Sequence, residues 1–223
     1  MFLDFYGTVV HEDDDIIPQI CREIQAASSM DCSIQEIGSH WWKGVSHSFR
    51  NSYGEAFENQ RTIGLKSLQE TIGHFESAAV AGELISIQFD HWRNPGIFED
   101  AVSFLSENRL PVYIVSNIDT DDVLQAIAFH GIHVDGVITS EDARSYKPRP
   151  EIFREALGRF DLSAKDVIHV GDSYMSDVEG AAGAGIQTVW MNRKNRPLPE
   201  SIFKPDYIVR DFDELFKLIL NKG

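Results

Sequence analysis

The spacing of apolar positions along the chain changes character twice. Phe2 to Phe5 form a short apolar run closed by Gly7 and Thr8, the pattern of a buried strand ending in a turn, with Asp4 near the strand's C-terminal end. An acidic stretch, His11 to Asp15, follows as a solvated linker. From about residue 16 to residue 92 the apolar positions recur at helical spacing and no strand pattern is strong. Ile16, Ile17, Ile20 and Ile24 share one helix face. Leu65, Leu68, Ile72 and Phe75 mark a helix over 62–75, and Leu84, Ile85, Phe89 and Trp92 one over 78–92. Ser33 with Glu36 is a capping-box pattern ahead of Ile37, Trp41 and Trp42. Arg93-Asn94-Pro95-Gly96 then marks a return hinge.

Beyond the hinge, strand and helix patterns alternate. Strands are predicted at 112–115, 134–138, 167–170, 186–190 and 207–209, and helices at 98–107, 119–129, 150–157, 177–184 and 212–220. Ser176 and Glu179 match a second capping box, which predicts a helix start there. Such alternation implies an α/β fold, a Rossmann-like and mostly parallel sheet core with helices on both faces. The expected division is core for 1–12, an inserted all-helical domain for 13–91, and Rossmann-like core for 92–223.

Composition narrows the function. With 43% hydrophobic and 25% charged residues the chain is an ordinary globular one. Its 20 basic against 35 acidic residues give a net charge of −15, which argues against nucleic acid as a partner. A small phosphorylated substrate stays admissible, because a metal and a few convergent donors can reverse a local field. The two cysteines, Cys21 and Cys32, make no disulfide framework. No apolar run has membrane-spanning length, and the first residues lack the basic leader of a secretory signal. A cytoplasmic protein with no membrane partner is expected, as a monomer or a homodimer.

Chemistry-bearing residues gather at the predicted strand ends, where open α/β sheets place their ligands. Asp4 is either a turn-capping carboxylate or a nucleophile that forms a covalent intermediate. Ser116 and Asn117 follow the strand at 112–115 and could hold an anionic oxygen, or cap the next helix, a role for which Asp119 competes. Lys147 lies in a loop stiffened by Pro148 and Pro150, where a point charge would neutralise an anionic substrate and Asp4. Asp172 ends the strand at 167–170, and Asp177 opens the next predicted helix. The two could converge with Asp4 on a hard cation such as Mg²⁺; Asp177 would also sit well at a helix N-terminus without one. Trp41, Trp42, His47, Arg50 and Arg61 are the helical-domain residues that could face a substrate, although packing is the commoner role of an aromatic pair. His40, His91, His130 and His133 show no zinc-ligand spacing.

Taken together, Asp4-Phe5-Tyr6-Gly7-Thr8, Ser116-Asn117, Lys147-Pro148 and Gly171-Asp172-Ser173 with Asp177 resemble the motifs of the haloacid dehalogenase superfamily of hydrolases, in their order and over nearly the whole chain. The resemblance implies a helical cap over the catalytic loops, Asp4 as nucleophile, Ser116, Asn117 and Lys147 at the substrate, and Mg²⁺ held by Asp4, the Tyr6 carbonyl, Asp172 and Asp177. Most phosphatases of the superfamily carry a second aspartate where this chain has Tyr6; its 2-haloacid dehalogenases carry tyrosine there but lack the Gly171-Asp172 pair. A Mg²⁺-dependent phosphatase acting through an aspartyl-phosphate on a small phosphorylated metabolite is therefore expected. The runner-up is a metal-free 2-haloacid dehalogenase acting through an aspartyl ester, and the third reading is an inactive binding protein of the same fold.

Overall fold

A computed structural model describes residues 1–220. Its elements run β1 (Phe2–Leu3), α1 (Ile16–Ala26), α2 (Ile34–Asn51), α3 (Gln60–His74), α4 (Ala81–Arg93), α5 (Glu99–Glu107), β2 (Tyr113–Ser116), α6 (Thr120–His130) and β3 (Gly136–Thr139). There follow α7 (Ser140–Ala143), α8 (Glu151–Arg159), β4 (Ile168–Gly171), α9 (Gly180–Gly183), β5 (Gln187–Met191), β6 (Tyr207–Val209) and α10 (Phe212–Leu220). The strands form one sheet in the order β3-β2-β1-β4-β5-β6. All its described pairings are parallel.

Both faces of the sheet are covered, as a parallel sheet requires. Successive strand residues point to opposite faces. Leu3, Ile114, Val170 and Val189 accordingly join one apolar cluster with Ala101 and Phe104 of α5, Val123 of α6 and Phe212 of α10. Phe2, Val115 and Ile138 join another with Ile152, Phe153 and Ala156 of α8 and Ala181 of α9. The inserted helices α1 to α4 close on a cluster of their own, built on Ile20, Ile24, Ile37, Trp41, Leu68, Ile72 and Ile85. Among the described residues no helix is long and apolar enough to cross a membrane.

Several sequence expectations shift, among them the following. The first strand is shorter than its apolar run, because Val9 and Val10 both donate their N–H groups to Phe5 O and wind residues 5–10 into a tight loop. The helix expected from residue 62 starts at Gln60, where the Asn59 side chain accepts from Thr62 N. The capping box at Ser176 and Glu179 does not form. Ser173 takes the cap by accepting from Ser176 N, and Tyr174–Glu179 wind as a π-helical turn. That turn encloses Asp177 instead of placing it in the first turn of an α-helix.

Candidate active site

Asp4 lies one residue beyond β1 and is fastened there by its N–H to Val170 O at 2.9 Å. Its carboxylate is buried, and Oδ1 accepts from Ser116 Oγ at 2.9 Å and Lys147 Nζ at 2.7 Å. No hydrogen bond from a described residue reaches Asp4 Oδ2. Lys147 spends all three ammonium hydrogens, on Asp4 Oδ1, on Val115 O at 3.0 Å and on Asp177 Oδ1 at 2.6 Å. Asn117 serves the lysine's backbone: its Oδ1 accepts from Lys147 N at 2.7 Å and its Nδ2 donates to Lys147 O at 3.1 Å. Both ends of that amide are thus engaged in holding the loop.

Asp172 follows β4, its N–H donating to Thr8 Oγ1 at 3.1 Å. The first loop and the β4 loop are thereby tied together. Two glycines make the closeness possible. A Cβ on Gly7, whose φ is +85°, would stand 2.5 Å from Asp172 Oδ1. A Cβ on Gly171 would overlap the Asp177 carboxylate. Both Asp177 oxygens are engaged: Oδ1 accepts from Lys147 and lies 3.0 Å from His169 Nε2, and Oδ2 accepts from Ser173 N at 2.9 Å. Arg196 donates to Asp172 O at 2.6 Å and lies 3.3 Å from Asp172 Oδ2.

Tyr6 turns away from the carboxylates, its hydroxyl donating to Trp92 O at 2.5 Å. Burial first, then the charges of Asp122, Asp13 and Asp4, push its pKa further up, so it holds its proton throughout the working range. In the inserted helices Trp41 is core, donating to Ser67 Oγ at 3.2 Å, whereas Trp42 is exposed. His47 pairs with Asn51 on the exposed end of α2, and Arg50 is exposed beside it. Arg61 grips both oxygens of buried Asp122, through Nε at 2.7 Å and Nη2 at 2.5 Å, and lies over the Phe89 ring. None of these five has a hydrogen bond to Asp4.

Burial raises the Asp4 pKa, with Lys147 and Ser116 pulling it back. Asp172 is pushed well up by burial and by Glu12, Asp177 and Asp4, with half-exposed Arg196 opposing. Burial works against the Asp177 carboxylate too, but Lys147 and His169 outweigh it and hold the group well below the usual range. Oxygen atoms of Asp4, Asp172 and Asp177 all lie within 4.8 Å of one another. Hard, crowded carboxylate oxygens fit a divalent cation such as Mg²⁺, which would offset the negative charge that pushes the Asp172 pKa up. Asp177, with both oxygens bonded, fits a position one step behind the direct ligands.

Sequence reasoning missed His169 and the pair Asp119 and Asp122. A single histidine in an apolar strand has no ligand spacing; its one signal is a polar side chain on a central strand. Asp119 was weighed as a cap for its own helix, yet it caps α3 across the interface, accepting from Gln60 N at 2.7 Å and Arg61 N at 3.0 Å.

The family model for haloacid dehalogenase-like hydrolases matches residues 1–185. A zebrafish (Danio rerio) protein, haloacid dehalogenase-like hydrolase domain-containing protein 3, is 36% identical over 180 residues, 78% of this chain and 67% of its own. The phosphoserine phosphatase of Thermus thermophilus is 30% identical over 195 residues, 79% of this chain and 76% of its own. Among solved structures, the L-2-haloacid dehalogenase RSc1362 superposes with a TM-score of 0.80 at 18% identity, over 98% of this chain and 97% of that one. The magnesium-bound HAD-hydrolase YfnB of Bacillus subtilis superposes with a TM-score of 0.76 at 17% identity, over the same shares.

Proposed function

The chain belongs to the haloacid dehalogenase-like hydrolases, and from that premise we propose that it is a cytoplasmic, Mg²⁺-dependent phosphatase of small metabolites with Asp4 as nucleophile. The observation that carries this reading is the carboxylate cluster of Asp4, Asp172 and Asp177, which suits a phosphoryl substrate only when a cation accompanies it. Mg²⁺ held by Asp4, the Tyr6 carbonyl and Asp172, with Asp177 behind, would supply charge neutralisation at the transferring group.

The chain's own residues account for the remaining steps. Ser116 and Lys147 fix Oδ1 of Asp4 and leave Oδ2 free to attack phosphorus in line. The Lys147 ammonium offsets charge on the equatorial oxygens, and the Ser116 hydroxyl can turn to the same anion. Attack forms the aspartyl-phosphate as the leaving oxygen departs, and water then cleaves it to return the carboxylate and free phosphate. With the Tyr6 hydroxyl committed to Trp92 O, position 6 gives the leaving group no acid. Acyl and aryl phosphates should therefore be the better substrates, with alkyl esters slower by roughly 10²–10⁴-fold.

A second reading, halide displacement from 2-haloacids by Asp4, is favoured by that same absence of an acid, since a halide leaves unprotonated. The comparisons lean its way as well: several solved L-2-haloacid dehalogenases share the fold over nearly the whole chain. One panel separates the two. Phosphate monoesters, acyl phosphates and 2-haloacids are assayed for phosphate and halide release, with Mg²⁺ and with chelator. Chelator-sensitive phosphate release supports the first reading; chelator-insensitive halide release overturns it in favour of the second.

A further inference from the structure

We propose that His169 is a positioning residue for the nucleophile, acting through Asp177 and Lys147; this deepens the reading above and rests on Asp4 being the attacking group. His169 lies on β4, 1% exposed, with its register partner Phe2 on β1. Its ring meets Phe153 edge-on at 5.0 Å, and its Nε2 stands 3.0 Å from Asp177 Oδ1. Its Nδ1 is buried and has no hydrogen-bond partner among the described residues.

That asymmetry fixes the tautomer. A proton on Nδ1 would bury an unmatched donor and aim the Nε2 lone pair at a carboxylate oxygen, two penalties at once. The proton therefore sits on Nε2 and is donated to Asp177.

The consequence falls on Lys147. Its ammonium is shared between Asp177 Oδ1 and Asp4 Oδ1 at nearly equal distances, 2.6 and 2.7 Å. His169 supplies part of the hydrogen bonding that Asp177 Oδ1 would otherwise draw from the lysine. Without it, Asp177 claims the ammonium more strongly, and Asp4 loses part of the counter-charge that keeps it ionised and oriented. A histidine that only filled space against Phe153 would do none of this, and an apolar side chain would fill the place without an unpaired nitrogen.

The test compares wild type, His169→Gln and His169→Leu on the best substrate of the panel. An amide Nε2 on glutamine reaches about as far as the imidazole Nε2; leucine offers no donor. We expect His169→Leu to lower kcat by about 10–100-fold with KM little changed, and His169→Gln to recover most of that loss. Unchanged kcat per folded molecule in His169→Leu, or a His169→Gln variant as slow as the leucine one, overturns the proposal. If His169→Leu does not fold, a glutamine variant that folds but has lost kcat by as much overturns it, and one that keeps kcat supports it. A second readout needs no turnover: ¹⁵N NMR of the wild-type imidazole should show the Nε2–H tautomer, and an Nδ1–H tautomer would refute the mechanism whatever the substrate. Absence of all turnover in wild type would instead count against the proposed function and leave the tautomer result to decide for His169.

Discussion

Two buried acidic clusters are built on opposite plans. Where the inserted helices meet the core, Asp119 caps α3 with both carboxylate oxygens, and Asp122 is gripped by Arg61 and by Arg93 Nε at 3.2 Å. Each of those four oxygens has a donor, and Arg61 and Arg93 both pair with Asp122. At the strand ends Asp4, Asp172 and Asp177 gather around one buried lysine, and Asp4 Oδ2 has no donor among the described residues. Matched charge marks a clasp. Surplus negative charge beside such an oxygen is what a divalent cation could neutralise.

Substitutions can break this contrast, beginning with Asp4. Replacing it by asparagine removes the proposed nucleophile, and kcat should fall by about 10³–10⁶-fold with the fold retained by circular dichroism. Activity near wild type in Asp4→Asn would place the chemistry elsewhere. Asp172→Asn should abolish Mg²⁺-dependent turnover and yet raise metal-free stability at neutral pH, since a charge crowded by its neighbours disappears. The sign also predicts a pH dependence. Burial raises the folded-state pKa of Asp172 above its unfolded value, so the penalty is absent at low pH and grows as pH rises from the ordinary carboxylate range. Above the raised value it is complete. Metal-free Tm measured from about pH 5 to pH 8 should therefore decline more steeply in wild type than in Asp172→Asn. Parallel curves would show that Asp172 carries no such strain.

The clasp should respond the other way round. Arg61→Ala leaves buried Asp122 with Arg93 alone and should cost about 1–3 kcal/mol in urea unfolding, with kcat within about tenfold of wild type. A stable Arg61→Ala protein that has lost all turnover would move Arg61 into the reacting site. The smallest effect belongs to Tyr6→Phe. It deletes one hydrogen bond to Trp92 O, for ~1 kcal/mol, and should change kcat/KM by no more than about threefold. A large rise in sensitivity to leaving-group pKa in that variant would mean that the hydroxyl reaches the substrate after all.

The alternation of strand and helix patterns beyond residue 96 was enough to read the parallel sheet, because burial on both faces writes continuous apolar runs such as Val112 to Val115. Asp4, Ser116, Lys147 and Asp172 were legible for the same reason: each stands at or just past the end of such a run, or in a proline-stiffened loop. Local pattern failed where a group is satisfied from far along the chain. Ser176 and Glu179 have capping-box spacing, but Ser173 reached the free N–H groups first. Asp119 has the sequence of a cap for α6 and works 59 residues away, on Gln60. His169 carries no periodic signal at all; only the contact with Asp177 reveals it.

The position of β1 also bears on the order of assembly. Phe2 and Leu3 are central in the sheet, yet their partners are Tyr113 and Ile114 on one side and His169 and Val170 on the other. A strand of two residues cannot hold its place by local contacts, and closing loops of that length is slow compared with winding helices. The inserted helices, whose contacts are close in sequence, are able to collapse first as the chain emerges from the ribosome. The segment that carries Asp4 must wait until β4 has been synthesised, so Asp4, the proposed nucleophile, is the first residue of the candidate site to be translated and among the last to be seated.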